Sequence, residues 1–287
     1  MENELNNLIQ SYSSVSLESQ VQPTSTQTQI PPTPTSPTPT QTPPTSTPPP
    51  WLDCGSYFIS NAEQRSPEWH KTRSGRVTAS NFGTCAGHSK FSSPDNLALE
   101  ISGLKVKEFS EESKRVMDIG TKMEPDARTW YEKSRGVCVK EYGLAVPKWN
   151  LYIGGSPDGV IEDSDGIIEI KCPERMYKPL KEKMEGCSDD SEDDTTNKNS
   201  ERDMFAHSHI WSTHYDQMQG CMAILNKSFC DYIVYCAPED LVYVERIPFN
   251  KVYWETDLYP KIFYFIETKL KPLLIQQGIR LQKICCE

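Results

Sequence analysis

The chain has 287 residues, 36% of them hydrophobic, which is enough for one sizeable folded domain with tails. Its formal net charge of −10 argues against a uniformly basic nucleic-acid-binding surface. The ten cysteines include no C-x-x-C pair, and the N-terminus lacks a basic stretch followed by an apolar one. Because no apolar run is long enough for a membrane helix, the sequence predicts a soluble intracellular protein with reduced thiols, in either nucleus or cytoplasm.

Two segments depart from the average composition. Residues 1–50 end in a run of Thr, Pro, Ser and Gln that cannot bury enough apolar surface to offset the entropy of ordering. We therefore predict a disordered arm there, and a folded domain over 51–287 that contains an acidic disordered insertion at 185–203. The two segments carry nine of the ten net negative charges, so the rest of the chain is near neutral and allows a local basic groove.

Helix patterns open the folded part. A short helix is predicted around residues 68–73. The clearest helix covers 113–136, where apolar residues recur at three- and four-residue spacings and Gly136 stands at the C-cap position. Within it, Pro125 indicates either a kink or a later helix start.

The periodicity then changes to that of strands. Alternating β-branched and turn residues over 137–173 predict three successive antiparallel strands. Residues 207–226 form a predicted helix with a glutamine pair, 229–249 a strand–turn–strand pair, and 253–279 an amphipathic helix. This order predicts an α/β (α+β) fold in which helices flank a central mixed β-sheet.

The stretch GGSPDGVIEDSDGIIEIKCP combines a turn with a row of charged residues. Glu169 and Lys171 alternate with Ile168 and Ile170, so we expect the isoleucines to face the core and the charged pair to lie on an open face. Asp158, at the Pro-Asp-Gly turn, would then lie beside Glu169.

Two carboxylates so placed repel and raise each other's pKa unless a cation joins them. Their oxygens suit a hard divalent ion, Mg²⁺ or Mn²⁺, and Lys171 is well placed to orient or deprotonate a water. The same pattern is also typical of a solvated hairpin face with weak ion pairing. A zinc site is disfavoured, because His207, His209 and His214 near Cys221 lack finger-like spacing.

Four blocks occur in order along the chain: EWHKTRSGRVTAS (68–80), GTKMEPDARTWYEKSRG (120–136), GGSPDGVI with IEIKCP, and HYDQMQGCM (214–222). Together they resemble the PD-(D/E)xK nucleases, and within them the lambda exonuclease and YqaJ-type viral recombinase family. The resemblance covers roughly residues 65–270 and implies a restriction-endonuclease-like core.

The resemblance implies a catalytic role for five matching residues: Glu124, Asp158, Glu169, Lys171 and Gln217. Asp158, Glu169 and the backbone carbonyl of Ile170 would hold Mg²⁺, which Mn²⁺ could replace. Glu124 would contribute to a second metal position, and Lys171 would activate the attacking water.

It also implies contacts with the substrate. Gln217 would steady the nucleophile or the scissile phosphate, whereas Gln219, two residues further on, cannot share that helix face. Arg73 and Ser80 would grip the 5′ phosphate of a DNA end, and Arg76 would help to hold the DNA backbone.

These roles imply a Mg²⁺-dependent 5′-to-3′ exonuclease that hydrolyses linear double-stranded DNA from a 5′-phosphorylated end and leaves 3′ single strands for recombination or repair. Two alternatives stay open, a structure-specific or restriction-like endonuclease and a non-catalytic DNA-end-binding protein. The implied partners are double-stranded DNA ends and a single-strand annealing protein, and members of the family can form homo-oligomeric rings.

Overall fold

The computed structural model describes residues 51–185 and 209–284. The arm predicted at 1–50 lies outside these residues, as does nearly all of the insertion predicted at 185–203. Both therefore stay predictions.

The N-terminal part alternates short strands and helices. Its strands are β1 (Trp51–Asp53), β2 (Tyr57–Ser60) and β3 (Val77–Thr78). Its helices are α1 (Pro67–Arg73), α2 (Phe82–Cys85), α3 (Pro94–Ile101) and α4 (Glu111–Arg135), with a 3₁₀ turn at Ala79–Asn81. The predicted helix around 68–73 is thus confirmed as α1, which begins after Ser66, whose hydroxyl accepts a hydrogen bond from the Trp69 amide at 3.1 Å.

The middle of the chain carries most of the strands. They are β4 (Val139–Lys140), β5 (Ala145–Pro147), β6 (Ile153–Gly154), β7 (Gly159–Ile161) and β8 (Gly166–Lys171). Two helices follow, α5 (Lys178–Met184) and α6 (Ser212–Leu225). Strands β9 (Phe229–Cys236) and β10 (Leu241–Pro248), joined by a 3₁₀ turn at Ala237–Glu239, confirm the predicted strand–turn–strand pair.

A helical run over residues 251–276 closes the fold. Its α-helical pieces are α7 (Lys251–Tyr253), α8 (Tyr259–Phe265) and α9 (Lys271–Gln276), separated by π-helical turns at Trp254–Leu258 and Ile266–Leu270. Every turn of this run buries apolar side chains, which confirms the predicted amphipathic helix.

The central sheet has five strands in the order β10-β9-β8-β7-β4. Strands β8 and β9 are parallel, and the other neighbours are antiparallel, so the sheet is mixed as predicted. Helix α4 packs on one face through Ala127 and Tyr131, which contact Ile168 and Ile170 of β8. On the other face, Ile167 packs in the main core with Met218 and Cys221 of α6. The predicted α/β (α+β) fold is confirmed.

The expectation of three successive antiparallel strands over 137–173 is wrong in part. Only β4, β7 and β8 join the central sheet, whereas β5 pairs with β2 and β6 pairs with β3. The short apolar runs of β5 and β6 are buried, and the N-terminal strands are the partners that bury them. Long-range pairing here overrides the local hairpin preference.

Helix α4 runs without interruption from Glu111 to Arg135, so a helix start near Pro125 is wrong. A proline removes the hydrogen bond to the carbonyl four residues earlier, which belongs to Thr121. Thr121 and Pro125 both face solvent, where water can satisfy that carbonyl. The helix ends at Gly136, whose φ of 65° is left-handed, as the predicted C-cap requires.

Candidate active site

The hairpin of β7 and β8 brings two acidic residues side by side. Its ladder ends at the pair Gly159 and Ile168, which leaves Asp158 opposite Glu169. The Asp158 carboxylate accepts a hydrogen bond from the Ile170 amide at 2.7 Å. The Ile170 carbonyl faces the same space, because the N–H and C=O of one residue leave a strand on the same edge.

Only glycine fits at position 159. A Cβ there would overlap the Val139 side chain, so the strand could not approach β4 this closely with any other residue. The glycine of the Pro-Asp-Gly turn therefore sets the position from which Asp158 projects.

The prediction of an open face for Glu169 and Lys171 is wrong. Glu169 is 1% exposed, and the Lys171 side chain is 22% exposed. The two residues share their face of β8 with Ile167, which helix α6 covers. Lys171 donates a hydrogen bond to the Glu169 carboxylate inside this covered space.

Burial and mutual repulsion govern the ionisation of Asp158 and Glu169. Burial, with the Glu169 charge adding to it, raises the pKa of Asp158 to about 7. Burial also raises the pKa of Glu169, although Lys171 opposes the rise. For Lys171, burial by itself lowers the pKa, but the charges of Glu169 and Asp158 outweigh it and the net pKa is raised. The lysine is thus a stable ammonium while both carboxylates are charged.

Glu124 joins the same electrostatic cluster from helix α4. It is 8% exposed, and its pKa is raised by burial and then by the charge of Asp158. Arg65 donates a hydrogen bond to one oxygen of Glu124, and Arg128 lies 3.3 Å from the other. The three predicted acidic residues are therefore close enough to shift one another's ionisation.

Arg65 was missed by the sequence analysis. It has a φ of 69° and belongs to no helix or strand, so no periodicity marks it. The Arg65 charge lowers the pKa of Asp158 as well as that of Glu124. The only signal was its place immediately before Ser66, the cap of helix α1.

The donor set suits a hard divalent cation. Within the ranges 51–185 and 209–284, no three His, Cys, Asp or Glu side chains are arranged to hold one ion. Mg²⁺, however, is usually held by one or two carboxylates together with waters and a substrate phosphate. Asp158, Glu169 and the Ile170 carbonyl fit that description, whereas Glu124 is engaged by Arg65.

Helix α6 presents one face to this cluster. His214, Gln217 and Cys221 lie three and four residues apart and so share a side of the helix. The pKa of His214 is lowered to about 3 by burial and by the charge of Lys171. The Cys221 thiol is buried, and its pKa is raised by burial, then by Glu169 and Asp158. Gln217, which is half-buried, lies between these two neighbours on the same side of the helix.

Gln219 has a structural role. It is fully buried, donates to the Pro248 carbonyl at 3.0 Å and accepts from the Asn250 amide at 2.7 Å. The inference that only one glutamine of the pair can face the site agrees with this geometry.

Arg73 and Ser80 lie together beside the site. The Arg73 guanidinium donates to the Thr78 hydroxyl at 2.8 Å, and the Ser80 hydroxyl lies 3.2 Å from the same oxygen. The guanidinium also stacks 4.1 Å above the Trp69 ring. Burial lowers the pKa of Arg73 to about 10, so it stays cationic at neutral pH. The Arg73 charge lowers the pKa of the Cys221 thiol, whereas the charges of Glu169 and Asp158 raise it.

Arg76 has a different environment from the one expected of a DNA contact. It is 3% exposed, and its guanidinium donates to the carbonyls of Thr72, Leu151 and Gln282 at 2.6, 2.9 and 3.1 Å. These carbonyls come from segments far apart in the chain. The geometry therefore favours a structural role for Arg76, which ties these segments together.

Two of the histidines considered for zinc have other partners. The His214 Nδ1 atom lies 2.9 Å from the Tyr232 hydroxyl, and the His209 Nε2 atom lies 2.5 Å from a Glu245 oxygen. His207 lies outside the described residues.

Comparison with known proteins identifies the family of this chain. The model of the YqaJ-like viral recombinase domain matches residues 68–224, more than half of the chain. The chain belongs to this family. The resemblance inferred from the four blocks is thereby confirmed, although no curated protein matches.

Two solved structures that resemble this chain are those of an exonuclease. An alkaline exonuclease from Laribacter hongkongensis is 25% identical with a TM-score of 0.52, and the match covers 74% of this chain and 95% of that one. The same exonuclease in complex with dAMP is 25% identical with a TM-score of 0.50, over 74% and 93% of the two chains. Together with the family, this likeness indicates a DNA-hydrolysing enzyme of the YqaJ-type alkaline exonuclease class. None of the helices in the described part of the chain has the length and apolar character to cross a membrane.

Proposed function

We propose that this nuclease is a Mg²⁺-dependent exonuclease that degrades linear double-stranded DNA from a 5′-phosphorylated end. It would proceed in the 5′-to-3′ direction and leave 3′ single strands for recombination or repair. The observation that carries the proposal is the pairing of buried Glu169 with half-buried Asp158, whose pKa values are raised beside Lys171. Such a pair is favourable at neutral pH only when further positive charge joins it.

Asp158, Glu169 and the Ile170 carbonyl would hold the cation. When bound, a divalent cation supplies charge neutralisation at the scissile phosphate and favours ionisation of a nearby water. Glu124 would contribute to a second metal position, for which Arg65 must first release its carboxylate. Mn²⁺ would replace Mg²⁺, since both prefer oxygen ligands.

Lys171 would handle the proton of the attacking water. The negative charges of Glu169 and Asp158 are what hold its pKa above the ordinary value, whereas burial by itself lowers it. Neutralising those charges therefore moves Lys171 toward the neutral amine, which can accept a proton. Gln217, on the facing side of α6, would orient the water or the phosphate through its amide.

Arg73 and Ser80 support the choice of a 5′-phosphorylated end. A guanidinium offers paired donors that match phosphate oxygens, and a cation–π contact with the Trp69 ring helps to hold Arg73 in place. The exposed Ser80 hydroxyl adds a donor next to it. A terminal phosphate carries more negative charge than a phosphodiester and so gains more from this pair.

The product suggests a partner. A 3′ single strand is the substrate for strand annealing, so we include a single-strand annealing protein in the proposal. A ring-shaped homo-oligomer stays a prediction from the family resemblance.

The test compares three substrates with Mg²⁺ or with EDTA: a linear duplex with 5′ phosphates, the same duplex with 5′ hydroxyls, and a closed circle. We expect Mg²⁺-dependent release of 5′-terminal mononucleotides from the phosphorylated duplex, weaker release from the hydroxyl form and none from the circle. Glu169→Gln and Lys171→Ala should abolish release, and Glu162→Gln, an exposed acid in the same hairpin, should not.

Other outcomes would overturn the proposal. Cleavage of the circle would indicate an endonuclease, and tight binding of ends without cleavage would indicate an end-binding protein. Release of 3′-terminal nucleotides first would reverse the proposed polarity. Equal loss of DNA with all four proteins would reveal a contaminating nuclease.

A further inference from the structure

A row of aromatic rings leads from the catalytic lysine to the surface. Tyr177 and His214 both lie close enough to Lys171 for charge to shift a pKa: Tyr177 raises that of Lys171, and Lys171 lowers that of His214. Each stacks on Trp211, with ring centroids 5.4 Å apart at 27° for Tyr177 and 5.5 Å apart at 19° for His214. We call Phe91, Tyr177, Trp211 and His214 the aromatic stack.

The outer end of the aromatic stack is open. Phe91 stacks on Trp211 with centroids 6.2 Å apart at 30°. Phe91 is 85% exposed and Trp211 is 47% exposed. Single exposed apolar residues are common on proteins, but parallel rings that continue into a catalytic site are a prepared surface for a flat ligand.

The aromatic stack is also uncharged. Burial and the charge of Lys171 lower the pKa of His214 to about 3, so its imidazole is neutral at working pH. The neutral ring has a hydrogen-bond partner, since its Nδ1 atom lies 2.9 Å from the Tyr232 hydroxyl. Neutral π-faces bind nucleobases by stacking and discriminate little among them.

The occupant must be an unpaired base. In a duplex, stacking on neighbouring pairs covers the face of each base, whereas a nucleotide drawn out of the duplex offers a free face. The phosphate of that nucleotide would lie near Lys171, at the inner end of the stack. A nucleotide thus matches both ends of the surface.

We propose that Trp211 and Phe91 form a stacking platform for the base of the unpaired nucleotide next to the scissile phosphate. The enzyme would draw that nucleotide out of the duplex and hold it on the platform before cleavage. This inference rests on the proposed function, because Lys171 marks the position of the scissile phosphate.

The test measures binding in full-length Lys171→Ala protein, which cannot cleave. The ligand is a 5′-phosphorylated duplex with a two-nucleotide unpaired 5′ tail, offered either with normal bases or with abasic tail nucleotides. The comparison adds Trp211→Ala, Trp211→Phe or Phe91→Ala to this background. Trp149→Ala is the matched control, since Trp149 is 49% exposed but contacts Trp254 and Tyr259 instead.

We expect removal of the tail bases to weaken binding of the parent protein by about 5- to 150-fold, the range for loss of one base–aromatic stack. Removing the tail bases should have little effect on binding by Trp211→Ala, whereas Trp211→Phe should show most of the weakening seen in the parent. Phe91→Ala should show only part of that weakening, and Trp149→Ala should match the parent. Trp211 precedes α6 without a side-chain cap bond, so its replacement leaves the helix cap unchanged.

An equal abasic penalty with and without Trp211 would overturn the platform. Loss of thermal stability in Trp211→Ala would be distinguished by the Trp211→Phe protein, which must still show the penalty. Failure of the nuclease proposal is seen separately, because it would appear as absence of cleavage by the wild-type chain while this binding cycle is unaffected.

Discussion

Replacing Asp158 with Asn should stabilise the metal-free protein even as it removes activity. The pKa of Asp158 is raised from its ordinary 3.8 to about 7, first by burial and then by Glu169. Since one pKa unit corresponds to 1.36 kcal/mol, holding this carboxylate ionised costs about 4 kcal/mol. Asp158 is only half-buried, so solvent screening lowers the expected gain to about 2–4 kcal/mol. An Asn oxygen can still accept from the Ile170 amide, which limits other losses.

The pH dependence of this gain follows from the direction of the shift. A raised pKa means that native Asp158 holds its proton more tightly than the unfolded chain does, so the penalty grows as pH rises from 3.8 toward 7. In EDTA, Asp158→Asn should therefore gain more over wild type at pH 8 than at pH 5. Urea denaturation at both values measures the free energy of unfolding. Asp126→Asn, the same change at an exposed site on helix α4, is the control.

Saturating Mg²⁺ should reverse the order, because it stabilises wild type and has little effect on Asp158→Asn. If Asp158→Asn is less stable than wild type in EDTA at pH 8, the carboxylate is not electrostatically unfavourable. The argument that a cation is needed there would then fail.

Three further predictions concern the surroundings of the site. Gly220→Ala should cost about 1–3 kcal/mol in urea denaturation, because its Cβ would overlap the buried Phe82 ring; an unchanged midpoint would contradict this packing. Gln217→Ala should reduce cleavage without changing the unfolding midpoint, whereas Gln219→Ala should lower the midpoint by breaking two buried hydrogen bonds; the reverse pattern would exchange their roles. Burial alone would raise the pKa of Glu245, but hydrogen bonds from its neighbours lower this pKa to about 2. The ionised Glu245 side chain therefore stabilises the fold at pH values above 4.5, its ordinary pKa. Between pH 5 and pH 2 this contribution, about 3 kcal/mol, should be lost in wild type but not in Glu245→Gln, and equal acid sensitivity would refute it.

Local sequence patterns sufficed for the hairpin and for most helices. The alternation of Glu169 and Lys171 with two isoleucines correctly separated the two pairs onto opposite faces of the strand, and the turn at Pro157 indicated the approach of Asp158. The burial of Glu169 was not predictable, because helix α6, which covers it, lies about fifty residues further along the chain. A strand pattern shows which side chains share a face but not what packs on that face.

The two arginines of the first block illustrate the same limit. Arg73 and Arg76 lie three residues apart in a basic stretch, and no local signal separates them. The difference arises from tertiary contacts, since Arg76 meets carbonyls near residues 151 and 282 while Arg73 stays beside Thr78. Arg65 was missed for a related reason, because its partner Glu124 lies on a helix distant in sequence.

The most direct test of the account is a Mn²⁺ titration of the metal-free protein, with free ion measured by electron paramagnetic resonance. The account predicts that wild type binds the ion and that Asp158→Asn and Glu169→Gln each lose this binding. Glu124→Gln should keep it, since Arg65 already occupies the Glu124 carboxylate. Undiminished Mn²⁺ binding by both Asp158→Asn and Glu169→Gln would contradict the claim that these two carboxylates hold the catalytic cation.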